Sequence, residues 1–131
     1  MDYQNEALTK VLSHVDYDQM LNEVVAIIEQ NRMASIELIF GSAWGNVYKD
    51  WKQFTVNVDS IRAEIKIAEN LNVGNFGDDD LFIICPSFNV EILFCHERDI
   101  HLRYNDTNQL VLDIRQLWKD KSLLQFERQL T

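Results

Sequence analysis

Glycine is scarce in this chain: four occur in 131 residues. None builds a Gly-x-Gly-x-x-Gly, Walker or Gly-x-Ser-x-Gly pattern, so the loops that cradle nucleotide phosphates or raise a nucleophilic serine are missing. Cysteine is equally sparse. Cys85 and Cys95 both lie in apolar, strand-like runs; they are too few for a disulfide framework and read as reduced core thiols. The chain has no His-Glu-x-x-His helix, no Cys-x-x-Cys pair and no EF-hand spacing of aspartates. No apolar run approaches the roughly 20 residues of a membrane helix, and Met-Asp-Tyr-Gln-Asn-Glu at the start lacks the basic-then-apolar pattern of a secretion signal. The expectation is a cytoplasmic protein without a membrane partner.

Positive charge is also in deficit. Twelve basic residues face 21 acidic ones, a formal charge of −9. The excess sits in two zones: residues 1–48 hold seven acids against two bases, and residues 78–99 hold six against one. Such a surface repels phosphate backbones, which disfavours nucleic acid, and steers a basic protein toward itself. Acidity for solubility alone is the competing explanation. An apolar fraction of 47% with 25% charged residues is that of one globular domain, residues 1–131, without linkers or repeats.

Ala7, Leu8, Val11 and Leu12 fall on one helical face, with Glu6 four residues before Lys10, and predict a first helix ending near His14. Asp16 and Gln19 form a capping box that Val15 and Met20 can staple, opening a second helix to about Arg32. Ile36 to Phe40 and Thr55 to Val58 alternate as strands. From Asp59 to Leu71 helix and strand periods compete; length and the helix-compatible Arg62, Glu64, Lys66 and Glu69 favour the helix. Leu81–Cys85, turned by Pro86, and Val90–Cys95 predict a buried hairpin whose second strand is central, followed by a strand over Ile100–Tyr104. Asp106 and Gln109 cap a helix to about Lys121, and Ser122 starts a last short helix through Phe126 and Leu130. This order indicates an α+β fold: a mostly antiparallel sheet of four to five strands packed with N-terminal and C-terminal helices.

The chemically dense segment runs from Asp78 to His101. Asp78, Asp79 and Asp80 are adjacent like charges whose repulsion a cationic partner would relieve, and Glu97 and Asp99 reinforce them if the sheet joins the strand ends. Trp44 and Tyr48, beside Trp51, offer aromatic anchors if exposed and core plugs if not. The Cys95-His96-Glu97-Arg98-Asp99-Ile100-His101 run holds five residues of the kinds that ligate metals. On an extended strand His96 points away from Cys95, Glu97, Asp99 and His101, so the two histidines converge only if the chain turns near Arg98. A metal held by His96, His101 and Asp99 therefore stands as an alternative to a docking surface, and histidine–carboxylate hydrogen bonds as a third reading. A Cys95 nucleophile is disfavoured inside a buried strand. No catalytic residue and no cofactor is expected.

Gly77-Asp78-Asp79-Asp80-Leu81-Phe82-Ile83, then Leu93-Phe94-Cys95-His96-Glu97-Arg98-Asp99-Ile100-His101-Leu102 and a C-terminal helix with Trp118, together resemble small bacterial immunity proteins of polymorphic toxin and contact-dependent inhibition systems. The resemblance covers about the C-terminal half of the chain. It implies a cognate inhibitor that binds a toxin domain, often a nuclease with a basic cleft, and blocks it without performing chemistry. The partner-binding residues expected on that basis are Asp78, Asp79, Asp80, Glu97, Asp99, Trp44 and Tyr48.

Overall fold

The computed structural model describes residues 3–33, 35–41 and 54–130. Among them are seven strands: β1 (Asn5–Thr9), β2 (Ser35–Gly41), β3 (Phe54–Asn57), β4 (Asp80–Cys85), β5 (Val90–Phe94), β6 (Ile100–Tyr104) and β7 (Leu124–Gln129). Three helices accompany them, α1 (His14–Gln30), α2 (Ile61–Asn70) and α3 (Gln109–Asp120). The strands form one antiparallel sheet in the order β3-β2-β4-β5-β6-β1-β7. The fold is α+β as expected, with more strands than expected.

Two strands account for the difference. Residues 5–9 and 124–129 pair with each other, and β1 also pairs with β6; each segment reads as helical in the sequence. Burial on both faces of β1 removes the alternation that normally marks a strand: Ala7 packs in the core while Glu6 and Leu8 are buried on the opposite side. Helix α1 starts at His14 with Ser13 as its cap, the Ser13 hydroxyl oxygen accepting the Asp16 amide at 3.1 Å. Asp16 is thus inside the first turn rather than the cap. Likewise Asn108, not Asp106, caps α3 by accepting from the Val111 amide. The helix reading of residues 59–71 is correct, with Ile61 and Ile65 turned inward. Strand β5 lies between β4 and β6 as a central strand should.

The helices cover one face of the sheet. Ile36, Leu38, Leu81, Ile83, Ile92, Phe94, Ile100 and Leu102 meet Tyr17, Met20, Leu21, Val24 and Ile28 of α1 and Leu110, Ile114 and Trp118 of α3 in one cluster. Alternation then sends the intervening residues to the other face. Read across the paired strands, one row there is Glu37, Ile84, Glu91, Arg103, Glu6 and Arg128. The next row is Ile39, Phe82, Leu93, His101, Leu8 and Phe126. By the same alternation Asp80, Cys95 and Asp99 stand at the end of this face beyond His101. Among the described residues, no helix is long and apolar enough to cross a membrane.

Candidate functional site

The β5–β6 connection builds the site. The Cys95 amide donates to the Asp99 carbonyl at 3.0 Å and the Arg98 amide to the Cys95 carbonyl at 2.9 Å. Three loop residues, His96, Glu97 and Arg98, therefore close the hairpin, and Arg98 takes the left-handed conformation at φ 65°. A three-residue hairpin loop places such a residue last, usually a glycine. The turn that the histidines need to approach each other is present. From the helix side, the Tyr17 hydroxyl donates to the Cys95 carbonyl at 3.0 Å and fixes the strand end in the core.

The turn before β4 meets this hairpin. Gly77 adopts φ 100°, a conformation costly for any side chain with a Cβ, and the Asp78 and Asp79 amides both donate to the Asn75 carbonyl. The three aspartates consequently point in different directions. Asp79 is buried, its carboxylate accepting the Asn75 amide at 2.8 Å. Asp80 accepts both the His96 amide at 2.8 Å and His96 Nδ1 at 2.9 Å. Asp78 is 70% exposed, with the Arg98 guanidinium 3.4 Å away.

This corrects the expectation of a free acidic cluster. Of Asp78, Asp79, Asp80, Glu97 and Asp99, the structure presents Asp78 and Glu97 to solvent, the latter 72% exposed. Asp79 and Asp80 turn inward because backbone amides and His96 satisfy them, as buried carboxylates require, and Asp99 turns toward His101. Trp44, Tyr48 and Trp51 lie outside the described residues.

Asp99 belongs to a chain of charges running along the sheet. Its Oδ2 lies 3.4 Å from His101 Nε2, and His101 Nδ1 lies 3.0 Å from Glu6 Oε2. Arg103 Nε and Arg128 Nε each donate to Glu6 at 2.8 Å, and Arg103 also reaches Glu91 at 2.9 Å. The Glu6 side chain is 1% exposed. Burial alone would raise its carboxyl, but hydrogen bonds from Arg103, His101 and Arg128 outweigh that and hold it down at about 2. The sequence places Glu6 in a helical pair with Lys10 on an exposed surface; the structure instead buries it in β1 among two arginines and a histidine.

Cys95 is the hub. Its Sγ lies within 4.8 Å of donor atoms of two sets, Asp80 with His96 and Asp99 with His101. The two histidines thus do not enter one set; each shares Cys95 with its own aspartate. Burial pushes the thiol up to about 12, with the Glu97 amide partly offsetting and the Asp99 and Asp80 charges adding to the rise. A thiol so held is no nucleophile at neutral pH.

A second feature adjoins the hairpin. The Leu12 amide donates to the Arg98 carbonyl at 2.8 Å, bringing the β1–α1 connection against the Glu97 turn. Val11 and Val15, which the sequence places on a helix face and in a staple, are 69% and 73% exposed. Next to them Asp16, Gln19, Met20, Glu23, Lys121 and Leu123 line a depression of about 260 Å³. Comparison with protein-family models, curated proteins and solved structures gives no match for this chain.

Proposed function

We propose that this chain is a non-catalytic binding protein of the immunity class, which neutralises a cognate toxin domain in the cytoplasm. The observation that carries the reading is the mixed surface at the hairpin end. Exposed Val11 stands on a connection bonded to the Glu97 turn and exposed Val15 in the first turn of α1 that follows it, with the carboxylates of Asp16 on α1, Asp78 on the turn before β4 and Glu97 on the hairpin. Protein-binding surfaces combine an apolar centre that water leaves on contact with charges at the rim that guide approach. Covering a valine contributes on the order of 1–2 kcal/mol. The exposed carboxylates, Asp78 and Glu97 faced only at 3.4 Å by Arg98 and at 3.7 Å by His96, favour a basic partner over nucleic acid.

The depression bearing Asp16 and Glu23 has the size and charge to take a lysine or arginine side chain, although Lys121 already reaches Glu23 at 3.1 Å. A protonated, buried Cys95 also fits a protein that performs no chemistry.

Mixing the purified chain with the toxin domain encoded beside it tests the proposal. A stable complex is expected, with an association rate that falls as salt rises. Val15→Asp should weaken it at least tenfold through faster dissociation, and Glu97→Lys should slow association. Failure to form any complex with that toxin, or a complex indifferent to both substitutions, overturns the reading.

A further inference from the structure

We propose that Cys95 Sγ, the Asp99 carboxylate and His101 Nε2 form a binding site for a borderline-soft divalent metal of the zinc class. All three donor atoms lie within 4.8 Å of one another. The Nε2 to Oδ2 separation is 3.4 Å. Zinc bonds of about 2.0–2.3 Å in a tetrahedron give donor–donor edges of about 3.3–3.6 Å, so the imidazole and carboxylate already stand one edge apart. The thiol, now 3.7 Å from His96 Nδ1, would turn toward Asp99 and His101 to complete the set. Sulfur, nitrogen and oxygen together select zinc, cobalt or iron over magnesium and calcium, which require oxygen.

Two further observations point to a cation. Asp99 Oδ1 is buried and makes no hydrogen bond of ordinary length among the described residues, the Cys95 thiol being the donor that faces the carboxylate, and a metal would bind both groups. His101 Nδ1 faces Glu6, which Arg103 and Arg128 clamp in place. This is the arrangement by which carboxylates orient metal-bound histidines: Nδ1–H donates outward and the Nε2 lone pair faces the ion.

The second set, Asp80 with His96, is the weaker one. Asp80 Oδ1 already accepts from both the amide and Nδ1 of His96, and a metal there would break both bonds. In the Asp99 set the metal–sulfur bond forms as the thiol proton leaves to solvent, one proton per ion.

The test uses the full chain, stripped with a chelator and titrated with cobalt(II). One equivalent should produce a thiolate-to-cobalt charge-transfer band in the near ultraviolet, and zinc should displace it. Cys95→Ser and His101→Gln should abolish the band, whereas His96→Gln should keep it; far-ultraviolet circular dichroism checks that each variant is folded. Wild-type thermal unfolding should also shift upward with zinc and not with magnesium, a readout that needs no variant. No band and no zinc-dependent shift in the folded wild type overturns the proposal. So does a band that survives His101→Gln or disappears with His96→Gln.

Discussion

Glu6 and His101, ninety-five positions apart in the chain, meet at 3.0 Å on the face of the sheet that the helices leave free. The carboxylate is shared with two arginines, and its folded value of about 2 lies below the ordinary 4.5. A depressed acid contributes stability that is full above its unfolded value and is lost as pH falls toward its folded one. The contribution, roughly 3 kcal/mol, should therefore be complete above about pH 5 and disappear between about pH 4.5 and 2. Urea unfolding of the wild type and Glu6→Gln across that window measures it. The stability gap between the two proteins should be wide at neutral pH and close on acidification; a gap independent of pH would mean that packing, not charge, holds Glu6.

The neighbouring aspartates should behave as opposites. Asp78, mostly in solvent with its cation 3.4 Å away, should tolerate Asp78→Asn within about 0.5 kcal/mol. Asp79 is buried and closes the Asn75 turn, so Asp79→Ala should cost on the order of 1–3 kcal/mol. Chemical denaturation of both variants separates a solvent-facing acid from a structural one.

Asn108 does two jobs at the start of α3. Its Oδ1 accepts the Val111 amide at 3.1 Å, and its Nδ2 donates to the Phe88 carbonyl at 2.9 Å, tying the helix to the β4–β5 turn. Asn108→Ala should cost about 2 kcal/mol, against about 1 kcal/mol for Ser13→Ala, where the side chain caps α1 through a single bond. Equal losses in parallel unfolding experiments would show that the Phe88 contact contributes nothing.

Trp118 is fully buried and its indole Nε1 has no partner among the described residues. Trp118→Ala should cost about 3–5 kcal/mol, because a large cavity opens beneath α3. Trp118→Phe removes the unsatisfied donor while keeping a ring, and should lose no more than about half as much. The comparison can be read from shifts in the unfolding midpoint at constant m-value.

The parts of the fold legible in the sequence are those where one residue's environment is set by its near neighbours. Ile36 to Phe40 alternate much as their burial does, Leu81 to Cys85 are legible as an unbroken apolar run, and Ile61 to Ile65 through segment length and helix-compatible neighbours. In β7 only Leu124 is even partly buried, and Glu127, on the core-facing side, is satisfied by Arg115 at 2.6 and 2.8 Å. No apolar stripe announces that strand. The hairpin at His96 was obscure for a different reason: Arg98 occupies the left-handed position that a glycine would have signalled. Glu6 had no local clue at all, since Arg103, His101 and Arg128 reach it from the far end of the chain. Chemical types between Asp78 and His101 were visible; their division between solvent and interior depended on a turn that the letters do not mark.

The seat of β1 between β6 and β7 sets the timetable of synthesis and folding. A ribosome delivers residues 5–9 near the beginning of this sequence and residues 100–104 and 124–129 near its end. Until then the first strand has neither of its neighbours to pair with, and the Glu6 side chain has none of its cations. Long-range pairing of this kind slows folding and leaves apolar strands exposed during the wait. The acidic excess of residues 1–48 has a use in that interval: like charges keep unfinished copies of the chain from adhering to one another.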